Sequence, residues 1–188
     1  METFCPKTPT EWRNWLHENH QFKKSVWLIY YKSNSCIPSI TWSEAVDEAL
    51  CFGWIDSTKK TIDKERYMQY FSKRKPTSNW SNVNKAKVAN LIQNNRMTKA
   101  GYDCIKIAKQ NGSWTNLDQV EALVIPKDLN EQLINCKEAI QYFSKLSKSD
   151  KKILLHWVVS AKREVTRQKR VQEIVENASK NLKPKQFR

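Results

Sequence analysis

Three glycines in 188 residues leave no glycine-rich loop, and six scattered prolines leave no proline-rich linker. Regular elements joined by short turns are therefore expected. Gly101 and Gly112 do not have phosphate-loop spacing, and the chain contains no GxSxG elbow. Cys5, Cys36, Cys51, Cys104 and Cys136 form no CxxC pair. An odd, scattered set on apolar positions fits reduced thiols and a cytoplasmic protein. His17, His20 and His156 lie apart from any cysteine or acidic cluster in sequence, so neither a metal nor another cofactor is expected. No stretch approaches eighteen apolar residues, and "METFCPKTPTEWRNW" lacks the basic-then-apolar start of a secretory signal. Acidic residues are also scarce, 19 against 33 Lys and Arg, for a formal charge of +14.

What the chain does have is large aromatics: eight Trp, six Tyr and six Phe, enough for a sizeable core. Its charge is uneven. Residues 57–115 carry 13 basic and 3 acidic side chains and residues 148–188 carry 12 and 4, while residues 1–56 and 116–147 are mildly acidic. Such blocks attract anions or acidic surfaces, and they also serve solubility.

Hydrophobic periodicity gives the order of elements. Thr8 or Thr10 opens a helix over 10–19, and "SVWLIYYKS" (25–33) reads as a strand. Thr41 and Glu44 have capping-box spacing before an apolar face that runs to Gly53, where a left-handed terminus is expected. Residues 54–61 and 66–73 alternate as two strands about the turn "IDKE". From residue 78 the pattern is helical: Val83, Val88, Leu91 and Ile92 form one stripe, and Ala100, Cys104, Ile107 and Ala108 the next. At least four more segments follow Gly112, one starting at Pro126 and one capped by Ser149 or Asp150, before a basic tail expected to fray. Trp12, Trp15, Trp27, Trp42 and Trp157 read as core, while Trp80 and Trp114 fit either core packing or a ligand ring. The expected fold is α+β: a small N-terminal antiparallel sheet of about three strands packed by helices, then a mostly helical C-terminal half. Regions 1–115 and 116–188 are expected to pack as one unit.

Three constellations could carry chemistry. In "FSKRKPTSNWSNVN", Lys73 and Arg74 leave a strand just before a helix start bearing Ser78, Trp80, Ser81 and Asn84. Basic side chains beside free helix N–H groups suit a phosphate or carboxylate. In "SAKREVTRQKR", Arg163, Arg167 and Arg170 fall at i, i+4 and i+7, a ladder for phosphates or for the protein's own acids. Asp56, after Trp54 and Ile55, is a lone acid without a second positioned group, so no catalytic residue is assigned.

The blocks "ITWSEAVDEALCFGWIDS", "YFSKRKPTSNWSNVN", "RMTKAGYDCIKIAKQNGSW", "IPKDLNEQL" and "SAKREVTRQKR" resemble, in order and spacing, the YdeI/OmpD-associated (OmdA) bacteriocin-protection family, from about Trp12 to about Val175. Two steps depart from that pattern. Ser72-Lys73-Arg74 stands where the family more often has Pro-Arg, and Asn95 stands where a glycine usually precedes Arg-Met. The resemblance implies a small cytoplasmic bacterial protein linked to tolerance of bacteriocins, antimicrobial peptides or envelope stress. It implies no reaction, catalytic residue or cofactor.

The preferred reading is a binding module for an anionic, phosphate-bearing small ligand. Lys73, Arg74, Ser78, Trp80, Ser81 and Asn84 form its seat, Asp56 orients a base at the edge, and Arg96, Arg163, Arg167 and Arg170 contribute from the helical half. Three others stay open: an enzyme on a phosphorylated small molecule, a nucleic-acid binder using the basic helical face, and an adaptor for a membrane surface or a protein partner.

Overall fold

The computed structural model describes residues 2–188, which divide into two compact units, one ending at Asn116 and the other Leu117–Arg188. The first unit contains β1 (Thr3–Phe4), α1 (Pro9–Asn19), β2 (Ser25–Tyr31), α2 (Trp42–Cys51), β3 (Trp54–Thr61), β4 (Arg66–Lys73), α3 (Asn82–Gln93) and α4 (Lys99–Gln110). Local chemistry fixes its helix ends. Thr8 accepts from the Glu11 N–H and Pro9 opens α1, where a missing N–H loses nothing. Thr41 and Glu44 form the reciprocal capping box of α2, and the hydrogen bonds from Thr41 hold the Glu44 carboxyl below its ordinary value. Gly53, at φ +72°, turns the chain from α2 into β3 in a conformation that a side chain would strain.

The sheet runs β1-β2-β4-β3, with β2/β4 and β4/β3 antiparallel. The sequence reading of about three antiparallel strands misses β1, which pairs parallel to β2 through Thr3 and Phe4. Two residues are too few to show a period-two pattern. Along β2, Val26, Leu28 and Tyr30 enter the core beneath α1 and α2 with Trp12, Leu16, Leu50, Trp54 and Phe71. The Trp12 indole N–H donates to Ala45 O at 3.0 Å, which ties the two helices through the core. Trp27 meets the Tyr70 ring edge-on at 5.1 Å.

Three apolar assignments need correction. Trp42, read as core, is 45% exposed and donates its indole N–H to Asp56. Val83 and Ile92 are exposed, so α3 is anchored by Val88 and Leu91. On α4 the buried face is Gly101, Ile105 and Ala108, so of the stripe read through Ala100, Cys104, Ile107 and Ala108 only Ala108 is buried.

The second unit is helical: α5 (Asp118–Glu121), α6 (Lys127–Ile134), α7 (Lys137–Lys145), α8 (Lys148–Val159), α9 (Glu164–Ala178) and a 3-10 turn (Lys185–Phe187). Leu129, Leu133, Phe143, Leu154, Val158, Val171 and Ile174 form its core. Ser147, not Ser149 or Asp150, caps α8 by accepting from the Asp150 N–H at 3.0 Å. Arg163 is the N-cap residue of α9 with extended backbone, so it stands outside the helical face expected to carry it with Arg167 and Arg170. The tail is docked rather than frayed. Phe187 packs edge-on to Trp157 at 5.3 Å, and Arg188 donates to the Asn177 side chain at 2.8 Å.

Candidate anion-binding cleft

A cavity of about 670 Å³ opens in the first unit where four chain segments end or begin. His17, His20 and Gln21 come from the end of α1, and Phe52, Gly53 and Trp54 from the turn between α2 and β3. Lys73, Arg74 and Pro76 come from the end of β4, while Thr98, Lys99, Ala100, Asp103, Cys104 and Ile107 come from α4. Ala100, Cys104 and Ile107 of the α4 stripe thus line this cleft. Its position follows from Gly101, where an added Cβ would lie 2.4 Å from Cys51 O, so only glycine lets α4 lie this close to the end of α2. Thr98 strengthens the junction, donating its N–H at 3.2 Å and its hydroxyl at 2.6 Å to the same Cys51 carbonyl. With the Thr98 hydroxyl engaged there, α4 begins without a side-chain cap and with no acid in its first turn. Its positive dipole end faces the cleft.

Arg74 is the cleft's central cation. Its backbone N–H donates to Gly53 O at 2.9 Å, which ties the end of β4 to the left-handed turn. The side chain is only 8% exposed. The Trp80 ring lies 3.7 Å from the guanidinium carbon and Nη1 donates to Asn79 O at 2.7 Å, so both tilt and rotation are set. Nε is buried with no hydrogen-bond partner, as is the indole N–H of Trp54, another lining residue. Burial lowers the Arg74 guanidinium to about 10, and it stays charged at neutral pH. Burial raises the Cys104 thiol, against the opposing charge of Arg74. His20 stands 5.1 Å from the Phe52 ring, and its Nδ1 donates to Leu16 O, a carbonyl that can only accept. Lys99 pairs with Asp103 at 2.8 Å, and the Lys73 amine donates to Gln21 O at 2.6 Å.

Of the residues singled out in the sequence, Lys73 and Arg74 line the cleft. Trp80 is the buried platform under Arg74, and its own indole N–H has no partner. Ser78 closes a turn on Lys75 O at 2.9 Å, and Ser81 caps α3 by accepting from the Asn84 N–H at 3.3 Å. The capped helix start read as the seat is therefore α3, while the uncapped start in the cleft is α4. Asp56 lies in a separate recess of about 350 Å³, beside a β-bulge in β3, where it accepts from Trp42 Nε1 at 2.9 Å and Gln69 Nε2 at 3.0 Å. Both are neutral donors, in place of the base it was expected to orient. Arg96 pairs with the buried Glu48. In the second unit Arg167 grips Asp128 through two bonds of 2.6 and 2.8 Å, and Arg170 donates to Trp157 O and the Ser160 hydroxyl.

The sequence reading missed Phe52, Gly53, Trp54, Thr98, Lys99 and Ile107 as lining residues. The available signal was the α4 stripe, whose apolar side chains follow a cap position with no acid behind it. Among the described residues, no group of three or more His, Cys, Asp or Glu is gathered to hold a metal.

Residues 4–104, more than half of the chain, match the family described as Domain of unknown function (DUF8412). The chain belongs to that family. Residues 122–181 match a second family, Bacteriocin-protection, YdeI or OmpD-Associated (OmdA), which covers most of the helical unit. The OmdA match is therefore narrower than the resemblance from Trp12 to Val175. The blocks at 40–57 and 70–84 fall within DUF8412, and those at 125–133 and 160–170 within OmdA. Neither the curated proteins nor the solved structures gave a match. The cleft lies in the DUF8412 unit, with Ile107 just beyond its matched residues.

Proposed function

We propose that the DUF8412 unit binds an anionic small molecule in the Arg74 cleft, within a bacteriocin-protection-like protein of the cytoplasm. The observation that carries this reading is Arg74 itself: a buried cation with fixed plane and an unsatisfied N–H, lining a cavity beside an uncapped helix start. A buried donor without a partner costs about 1–3 kcal/mol, and a ligand acceptor is what would recover it. Large apolar cavities with a few convergent polar groups are the usual form of small-molecule sites. The nucleic-acid reading draws no support from α9, because Arg167 and Arg170 are held by groups of their own unit.

A thermal-shift screen of carboxylates, phosphates and phosphosugars at two salt concentrations tests the proposal. A ligand at 100 times its Kd stabilises the folded state by about 2.7 kcal/mol. A salt-tolerant rise in Tm that is lost in Arg74→Lys supports the cleft, since lysine keeps the charge but not the planar fork. No shift with any anion refutes it.

A further inference from the structure

The way Arg74 is held bears on how it can receive an anion. A guanidinium presents its donors along its edges, and the Nη1 donor is engaged by Asn79 O at 2.7 Å while Trp80 covers one face. Nε has no partner. The unpartnered Nε favours the side-on pair Nε and Nη2, two parallel N–H groups that match the two oxygens of a carboxylate.

The charge balance points the same way. Lys73 and Lys99 also line the cleft, but both are exposed, and Lys99 is matched by Asp103. Arg74 is the lining cation that is buried, and one buried positive charge balances one negative charge. A phosphate dianion would bring a second charge to a wall with no second buried cation to meet it.

The remaining walls define the body of the ligand. Phe52, Trp54, Pro76, Ala100 and Ile107 surround a volume of about 670 Å³, far larger than a carboxyl group. A hydroxyl-rich body would lose hydration there with few partners, whereas a ring or hydrocarbon body gains from burial. Resting on the anion-binding reading above, we propose that the cleft receives a monocarboxylic acid with an apolar, ring-sized body. Its carboxylate lies side-on to Arg74 and its body lies against Phe52, Trp54 and Ile107. Nε of Arg74 and the Trp54 indole N–H are buried without partners, and the indole proton is the reporter for a carboxylate arriving at that wall.

The test uses the full chain and its tryptophan indole N–H signals in a two-dimensional 15N–1H spectrum, with the Trp54 signal assigned by Trp54→Phe. Four probes separate head from body: 2-naphthoate, 2-naphthyl phosphate, acetate and inorganic phosphate, at constant ionic strength. The expected result is a saturable movement of the Trp54 signal with 2-naphthoate, at a Kd at least tenfold below those of the other three. Arg74→Lys raises that Kd at least tenfold. Ile107→Glu does the same by placing a carboxylate on the wall, and Ile107 is 42% exposed, so this variant keeps its fold. Naphthyl phosphate binding as tightly as naphthoate overturns the carboxylate assignment and leaves the anion reading standing. Acetate binding as tightly as naphthoate overturns the apolar body. No movement with any probe, or naphthoate binding unchanged in both variants, overturns this proposal and the anion reading together.

Discussion

Glu48 is the most informative residue to perturb, because its carboxylate, 1% exposed, joins three parts of the first unit. One oxygen accepts from Arg13 of α1 at 2.8 Å and the other from Arg96, in the loop that leads to Thr98 and the α4 start. Arg13 also donates to Arg96 O at 2.8 Å, which closes the triangle. Glu48→Gln keeps the shape of the side chain and removes its charge. Breaking a buried pair from one side costs about 3–5 kcal/mol when the surviving charge is trapped. Here the arginines are 33% and 45% exposed and can turn to water, so the loss falls below that range, at about 2–3 kcal/mol. At roughly 2–4 °C per kcal/mol, the melting temperature should fall by about 4–12 °C. A double-mutant cycle by urea unfolding isolates the pair: Arg13→Met should cost at least 1 kcal/mol less in the Glu48→Gln background than in the wild type, roughly the coupling expected for contacting charges. Additive losses, or a Tm within 2 °C of wild type, would refute the network as a support of the cleft.

Three further outcomes follow from the geometry. Gly101→Ala places a Cβ 2.4 Å from Cys51 O, a backbone atom that cannot swing aside, so urea unfolding should show a loss of about 2–3 kcal/mol, typical of overpacking, with the cleft distorted as well. Asn95 sits at φ +56°, a conformation that asparagine tolerates and glycine adopts freely. Asn95→Gly should therefore leave stability within about 0.5 kcal/mol, while Asn95→Val should lose about 1–2 kcal/mol, both read from urea midpoints. Arg167 holds the Asp128 carboxyl below its ordinary value, chiefly through its side-chain hydrogen bonds. The folded state thus binds that proton less tightly than the unfolded chain, and the contribution is full above the unfolded value of about 3.9. It is lost as pH falls through the lower folded value. Chemical denaturation of the full chain between pH 2 and 6 should show a shallower acid-side loss in Arg167→Met than in wild type, and equal slopes would refute the assignment.

Local signals in this sequence read well where one interaction decides the outcome. Thr41 and Glu44 can meet in only one way at a helix start, and Gly53 is the residue that permits φ +72° before a strand. The alternation through Trp54–Thr61 and Arg66–Lys73 located both strands at their observed ends. What stayed hidden depends on what comes to lie opposite in space. Trp42 looks like core from its neighbours, yet Asp56, fourteen residues on, offers an acceptor that holds the indole at the surface. The α4 stripe shows the same limit most clearly. The stripe read through Ala100, Cys104, Ile107 and Ala108 mixes two adjoining faces, since Ala108 is buried with Gly101 and Ile105, and helical periodicity alone cannot rank the two. The deciding atom is the Cys51 carbonyl, which admits only the glycine face, and so turns the other apolar face toward Arg74. The cleft is thus a consequence of helix packing. Arg74 was legible as a base near a helix start, whereas the helix that serves it was not, because Thr98, a residue fit to cap α4, gives its hydroxyl to α2 instead.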